Sequence, residues 1–164
     1  MTSPERQRIG RDAIPITEEG LEQLQAELRE LMSVRRPAAV ERVRAVREGV
    51  GDPFESDEYG QALDELRALE ARIEELRAIV SRAEPIRRGP ESDVVGLGSE
   101  VKLSFEEGGE ETYRLVGWAE ADPRQGRVST EAPLGRALIG HRAGDEVEWE
   151  AAGGVARARI LEVR

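Results

Sequence analysis

Between Tyr59 and Ala83 the apolar residues fall at Tyr59, Ala62, Leu66, Leu69, Ile73, Leu76, Val80 and Ala83, so the step alternates between three and four. That period is a coiled-coil seam, because it keeps one narrow face of an α-helix turned towards a partner. Arg, Glu and Asp fill the other faces, and Pro85 predicts the stop. So narrow a stripe needs a second helix, and the preceding segment supplies one. Thr17 suits an N-cap, and Glu18 and Glu19 place negative charge in the first turn. Ile16 and Leu21 stand at the two positions of a hydrophobic staple. Leu21, Leu24, Leu28 and Leu31 repeat the three–four step. Near Ser33–Pro37 the pattern slips, and it resumes at Ala39, Val43, Val46 and Val50 in a shifted register. Pro37 predicts a kink or interruption there. Two such helices joined by a short turn predict an antiparallel hairpin on the order of 40–45 Å long.

The rest of the chain changes period. Residues 85–99 are punctuated by Pro and Gly and read as a linker. Beyond it Val101–Phe105 alternates, Glu107-Gly108-Gly109 gives a hairpin turn, and 111–118, 126–130, 146–150 and 155–163 read as further strands. Residues 132–139 read as a short helix. The expected organisation is a mobile tail at 1–13, a helical hairpin with an acidic tip at 14–84, the linker at 85–99 and a small antiparallel-sheet domain at 100–164. The fold class is α+β. Trp118 and Trp149 are expected in the sheet core, and His141, the single histidine, on the surface. Gly153-Gly154 is a hairpin turn rather than a phosphate loop.

Composition narrows the function. The 164 residues carry a formal charge of −10, which argues against general nucleic-acid binding, since phosphates attract basic surfaces. No cysteine is present, so disulfides, thiolate zinc sites and thiol catalysis are excluded, and a cytoplasmic location is the expectation. No apolar run reaches the roughly 20 residues that span a bilayer, so no membrane is expected as a partner.

The turn between the helices, residues 48–59, reads Glu-Gly-Val-Gly-Asp-Pro-Phe-Glu-Ser-Asp-Glu-Tyr. It presents carboxylates at the far end of a hairpin, suited to reaching into another molecule. Asp52-Pro53-Phe54-Glu55 also reads as a helix start, with Asp at N-cap, Pro at N1 and Glu at N3. The two roles are compatible if Asp52 caps with one oxygen and offers the other. Asp57 and Glu58 read as first-turn acids. Phe54 either packs under the loop or inserts into a partner. Arg35, Arg36, Arg42, Arg44 and Arg47 form a basic run, read mainly as a solvated face paired with acids of the second helix.

These residues resemble the bacterial Gre transcript-cleavage factor family. Ile14-Pro15-Ile16-Thr17, Gly20, Leu24, Glu27-Leu28 and Leu31 resemble its opening, and Ser33–Pro37 a motif of its first helix. Gly51-Asp52, Glu55 and Glu58-Tyr59 resemble its finger tip. Ala71-Arg72-Ile73, Leu76 and Ser81-Arg82-Ala83 resemble its return helix. Ala132–Gly140 with Gly144-Asp145-Glu146-Val147 resembles its C-terminal signature. The resemblance implies a coiled-coil finger and a C-terminal domain like an FK506-binding protein. It implies bacterial RNA polymerase as partner, with the finger in the secondary channel and the backtracked RNA 3′ end within reach. Asp52 and Glu55 match the family's two catalytic acids, which hold Mg²⁺ jointly with the polymerase, with Asp57 as a further ligand. Arg44 and Arg47 are the RNA-contacting candidates, and Leu134, Gly135, Leu138, Gly144 and Asp145 fall in the polymerase-docking domain. The protein would stimulate the polymerase's own cleavage activity rather than be an enzyme itself, and would act as a monomer.

The tip departs from the family pattern. Ser56 and Asp57 stand where Asn and a small residue are usual, Pro53-Phe54 replaces an aliphatic or polar pair, and Gly60-Gln61 follows Tyr59 in place of His-Ala. Some relatives bind the same channel and inhibit, with several tip acids, so a regulator without cleavage activity is the alternative. A prolyl isomerase, from fold resemblance alone, and a coiled-coil dimeriser are the readings of other classes.

Overall fold

The computed structural model describes residues 12–87 and 93–164. Apart from Asp12 and Ala13, the expected tail lies outside the described residues. The chain divides into two compact units. One is Glu22–Arg82; the other joins the described residues up to Leu21 with Ala83–Arg164. The fold is α+β.

Helix α1 (Glu18–Glu30), whose residues up to Leu21 belong to the other unit, passes in the first unit through a π-helical turn at Leu31–Arg35 into α2 (Arg36–Gly49). A 3₁₀ turn at Pro53–Glu55 leads into α3 (Asp57–Arg82). The ion pairs Arg72–Glu27 at 2.8 Å, Arg36–Glu70 at 2.9 Å and Arg42–Glu65 at 2.6 Å link the two sides. As the residue number rises on one side it falls on the other, so the helices run antiparallel. Arg36–Glu70 and Arg42–Glu65 are solvent-exposed, and each contributes at most about 1 kcal/mol, whereas Arg72–Glu27 is part-buried and bidentate.

The slip at Ser33–Pro37 has a specific form. The Arg36 N–H bonds to the Leu31 carbonyl, five residues back, which makes the turn a π-bulge. The buried residues on this side are Leu24, Leu31 and Ala39, steps of seven and then eight. The bulge absorbs the extra residue and returns the seam to the partner. It also accommodates Pro37, which lacks an N–H and would crowd the preceding turn of a regular helix. The expected interruption is therefore a widened turn inside one continuous helical run. On α3, Ala62, Ile73, Leu76 and Ile79 are buried. Ile79 lies outside the seam that the three–four step predicts; it is buried beside the half-buried Val80 and widens the apolar face near the end of α3.

The second unit holds two sheets. Strands β1 (Ile14–Ile16) and β2 (Ala83–Pro85) pair in parallel, with Ile14 opposite Ala83 and Ile16 opposite Pro85. Neither strand is predicted by the sequence pattern. The main sheet contains β3 (Glu100–Phe105), β4 (Glu110–Val116), β5 (Arg127–Ser129), β6 (Glu146–Ala151) and β7 (Gly154–Val163), in the order β5-β4-β3-β7-β6. Its pairs are antiparallel except β4–β5, which is parallel. Between those two strands the chain makes two 3₁₀ turns, Trp118–Glu120 and Pro123–Gln125, and comes back to run alongside β4 in the same direction.

The core under this sheet is Val95, Val101, Leu103, Leu115, Leu138, Val147, Ala158 and Ile160. Leu138 comes from α4 (Pro133–Leu138), the short helix expected at 132–139. Val95 and Ser99, inside the span read as a linker, are buried in this unit, and the Val95 N–H bonds to the His141 carbonyl at 2.8 Å. Residues 88–92 of that span lie outside the described residues. Trp149 packs on the core with its ring edge-on to Phe105, centroids 6.1 Å apart. Trp118 does not join it: β4 ends at Val116, Gly117 turns the chain, and the indole is 44% exposed. His141 is half-buried rather than on the surface, and its Nδ1 has no hydrogen-bond partner among the described residues.

Candidate functional site

The tip of the hairpin is built by two successive caps. Asp52 is extended, and its Oδ1 accepts the Phe54 N–H at 2.9 Å, starting the Pro53–Glu55 turn. Pro53 has no N–H to leave unsatisfied and a φ suited to the first position. Ser56 then starts α3, its Oγ accepting the Tyr59 N–H at 3.3 Å. The cap of the long helix is thus Ser56. Asp52 caps only the short turn before it, and Glu55 closes that turn instead of standing at N3 of α3. Asp57 and Glu58 occupy the first turn of α3, where the helix dipole favours them.

Asp52, Glu55, Asp57 and Glu58 lie at the surface. Among the described residues Glu55 has no ion-pair or hydrogen-bond partner through its side chain, and only Oδ1 of Asp52 is engaged. Phe54, between the two candidate acids, is 95% exposed and packs under nothing. The donor chemistry fits a share of a Mg²⁺ site, since Mg²⁺ takes oxygen ligands and is commonly held by one or two carboxylates beside phosphate oxygens and water. Among the described residues no group of three or more His, Cys, Asp or Glu is placed to hold a metal ion.

The basic run separates into paired and unpaired residues. Arg36 and Arg42 are taken up by Glu70 and Glu65 on the opposite helix, as the solvated-face reading expected. Arg44 pairs with Glu48 one turn along its own helix at 3.0 Å. Arg35 and Arg47 have no partner among the described residues. Of the two arginines nearest the tip, Arg47 is therefore the one with an uncommitted charge.

The residues offered for docking serve mostly the sheet unit itself. Leu138 is fully buried in the core, and Gly135 is buried where α4 crosses Ser129. Leu134 is half-buried against the same core. Gly144, with φ 94°, and Asp145 make the turn into β6, and Asp145 Oδ2 accepts the Arg142 N–H at 2.8 Å. Leu138 and Gly135 thus lie beneath the surface of this unit.

The architecture defines an α+β protein that carries exposed carboxylates on the end of an antiparallel helical hairpin. Residues 14–84 match the family described as transcription elongation factor, N-terminal, and residues 90–164 the one described as transcription elongation factor, GreA/GreB, C-term. Transcription elongation factor GreA of Geobacillus kaustophilus is 41% identical over 92% of this chain and 96% of its own length. Its counterpart from Chloroflexus aggregans is 46% identical over 91% of this chain and 96% of its own. A solved structure of the transcription factor Gfh1 is 29% identical, covering 93% of this chain and 97% of that one, with a TM-score of 0.46. The chain belongs to the GreA/GreB family of transcription elongation factors. Among the described residues no helix is long and apolar enough to cross a membrane.

Proposed function

We propose that this protein binds bacterial RNA polymerase, passes its hairpin down the secondary channel and uses Asp52 and Glu55 to promote hydrolysis of backtracked RNA. The observation that carries this reading is the tip: two carboxylates three residues apart, exposed, with an open oxygen on Asp52 and both on Glu55. Asp52 and Glu55 would hold Mg²⁺ together with the polymerase, and a metal held there would supply activation of water and stabilisation of the leaving oxygen. The Phe54 N–H fixes one oxygen of Asp52 and so aims the other. Arg47 supplies positive charge for RNA phosphates, a contact that positions without reading sequence.

Two carboxylates cannot assemble this chemistry alone, so the isolated protein is expected to leave RNA intact. Added to a backtracked polymerase complex, it is expected to raise the cleavage rate at least about tenfold over buffer. Equal rates with protein and with buffer would end the proposal. The second reading is a channel-binding regulator that slows the polymerase, favoured by the acids Asp52, Glu55, Asp57 and Glu58 clustered at the tip and by the exposed Phe54. Slower nucleotide addition at saturating protein, with no cleavage, would favour that reading over the first.

A further inference from the structure

Phe54 is the large apolar side chain that the fold leaves most open among the described residues. It is 95% exposed, whereas each of the other five aromatic residues is at least half covered. A single apolar residue at a surface needs no explanation by itself. The placement of this one does. The turn that carries it is closed on both sides: the Phe54 N–H goes to Asp52 Oδ1 at 2.9 Å, the Glu55 N–H to the Asp52 carbonyl at 3.3 Å and the Ser56 N–H to the Pro53 carbonyl at 3.4 Å. Pro53 fixes the backbone just before the ring. The cap needs only the backbone N–H of residue 54, and the side chain packs under nothing, so neither capping nor core packing accounts for an aromatic ring. A tied turn holds it in solvent between Asp52 and Glu55.

We propose that Phe54 is a substrate-binding residue whose ring stacks on the base of the extruded 3′ nucleotide of backtracked RNA. The inference rests on the hairpin reaching that RNA, as both readings above have it, and not on cleavage. Consecutive Cα atoms stand about 3.8 Å apart. A nucleotide whose phosphate meets Asp52 and Glu55 through a shared metal ion therefore has its base within reach of the ring between them. Every base has a π-face, so the contact tolerates any sequence, and stacking of one base contributes roughly five- to 150-fold to binding. An apolar wall of a partner protein fits less well. Asp52, Glu55, Asp57 and Glu58 flank the ring and are all exposed, so such a wall would bury carboxylates along with it. A stacked base covers the ring and leaves those carboxylates to water and cations.

The test is the affinity of the protein for backtracked polymerase complexes whose extruded 3′ nucleotide carries adenine or no base. A non-hydrolysable linkage in the RNA keeps it whole, so binding is read without chemistry. The parent protein is expected to bind the adenine complex about tenfold more tightly than the abasic one. Phe54→Ala is expected to lose that preference, binding the two complexes within twofold of each other and the abasic one as the parent does. The side chain packs on nothing, so the variant is expected to melt with the parent. Phe54→Tyr keeps a ring and is expected to keep the preference; Phe54→Leu keeps apolar surface without a flat face and is expected to lose it. With hydrolysable RNA and limiting protein, cleavage by Phe54→Ala is expected to fall about tenfold on the adenine complex and not on the abasic one. An equal loss of affinity on both complexes, or full rescue by Phe54→Leu, would mean that the ring meets polymerase, and would overturn the proposal. Binding by the parent with no preference for a base would overturn it too, and would leave the functional reading standing. No binding to either complex would end that reading and the stacking contact with it.

Discussion

Asp52→Asn is expected to lower cleavage of backtracked RNA by about a hundredfold or more, while leaving helix content and melting temperature unchanged. The substitution separates two roles that share one side chain. Asn caps a helical turn about as well as Asp does, so the Phe54 N–H keeps its acceptor. What is lost is the negative charge on the second oxygen. A hundredfold loss corresponds to about 2.7 kcal/mol of transition-state stabilisation, in the range a metal-holding carboxylate supplies. Glu55→Gln is expected to behave alike, since the Glu55 side chain has no structural partner to lose. Glu58→Gln is the control: a first-turn acid contributes about 0.3–1 kcal/mol to its helix and nothing to the chemistry. If Asp52→Asn cleaved at the full rate, Asp52 would be a cap and no more.

Gly135→Ala is expected to destabilise the sheet unit by about 3 kcal/mol or more, and to lower the melting temperature by roughly 10 °C. The added methyl would stand 2.0 Å from the Ser129 carbonyl oxygen and 2.9 Å from both Ser129 C and Thr130 Cα. All three are backbone atoms and cannot rotate aside. Relief requires α4 to move away from β5, and α4 carries Leu138, which fills the core. Gly60→Ala is the matching control of opposite sign. Gly60 sits in α3, and a Cβ added there would meet nothing within 4 Å, so alanine is expected to stabilise by about 0.5–1 kcal/mol. Thermal unfolding followed by circular dichroism measures both. A Gly135→Ala protein as stable as the parent would show that α4 is free to shift.

Periodicity carries most of what can be read from the residues alone. Leu24, Leu31, Ala62, Ile73 and Leu76 are buried because a three–four step keeps them on one face, and the alternation at Val101 and Leu103 turns both into the core. The slip before Pro37 is visible as a break in that step, but its resolution as a π-bulge depends on one backbone bond that no residue pattern encodes. Strands β1 and β2 escape such a reading because three residues are too few for a period, and each contains a proline. Trp118 is misplaced by it because an apolar run continues past Val116, while Glu120 reaches back to the Gly117 N–H and ends the strand. Glu120 itself gives no signal. A buried carboxylate looks like any other glutamate until Thr17, 103 residues away, is brought against it. The tip acids are legible through resemblance. Spacing alone leaves Asp52 and Glu55 as a helix start, and the assignment of that start to Ser56 rests on which oxygen the Tyr59 N–H meets.

The claim on which the functional account rests is that Asp52 and Glu55 share in holding a metal ion. The most direct measurement is the Mg²⁺ concentration that gives half-maximal cleavage in a backtracked complex, compared for the parent protein, Asp52→Asn and Glu55→Gln at saturating protein. The account predicts that each substitution raises that concentration about a hundredfold or more, with the rate recovering as Mg²⁺ is added, because one oxygen ligand has been weakened. A lowered maximal rate with an unchanged Mg²⁺ dependence would contradict it.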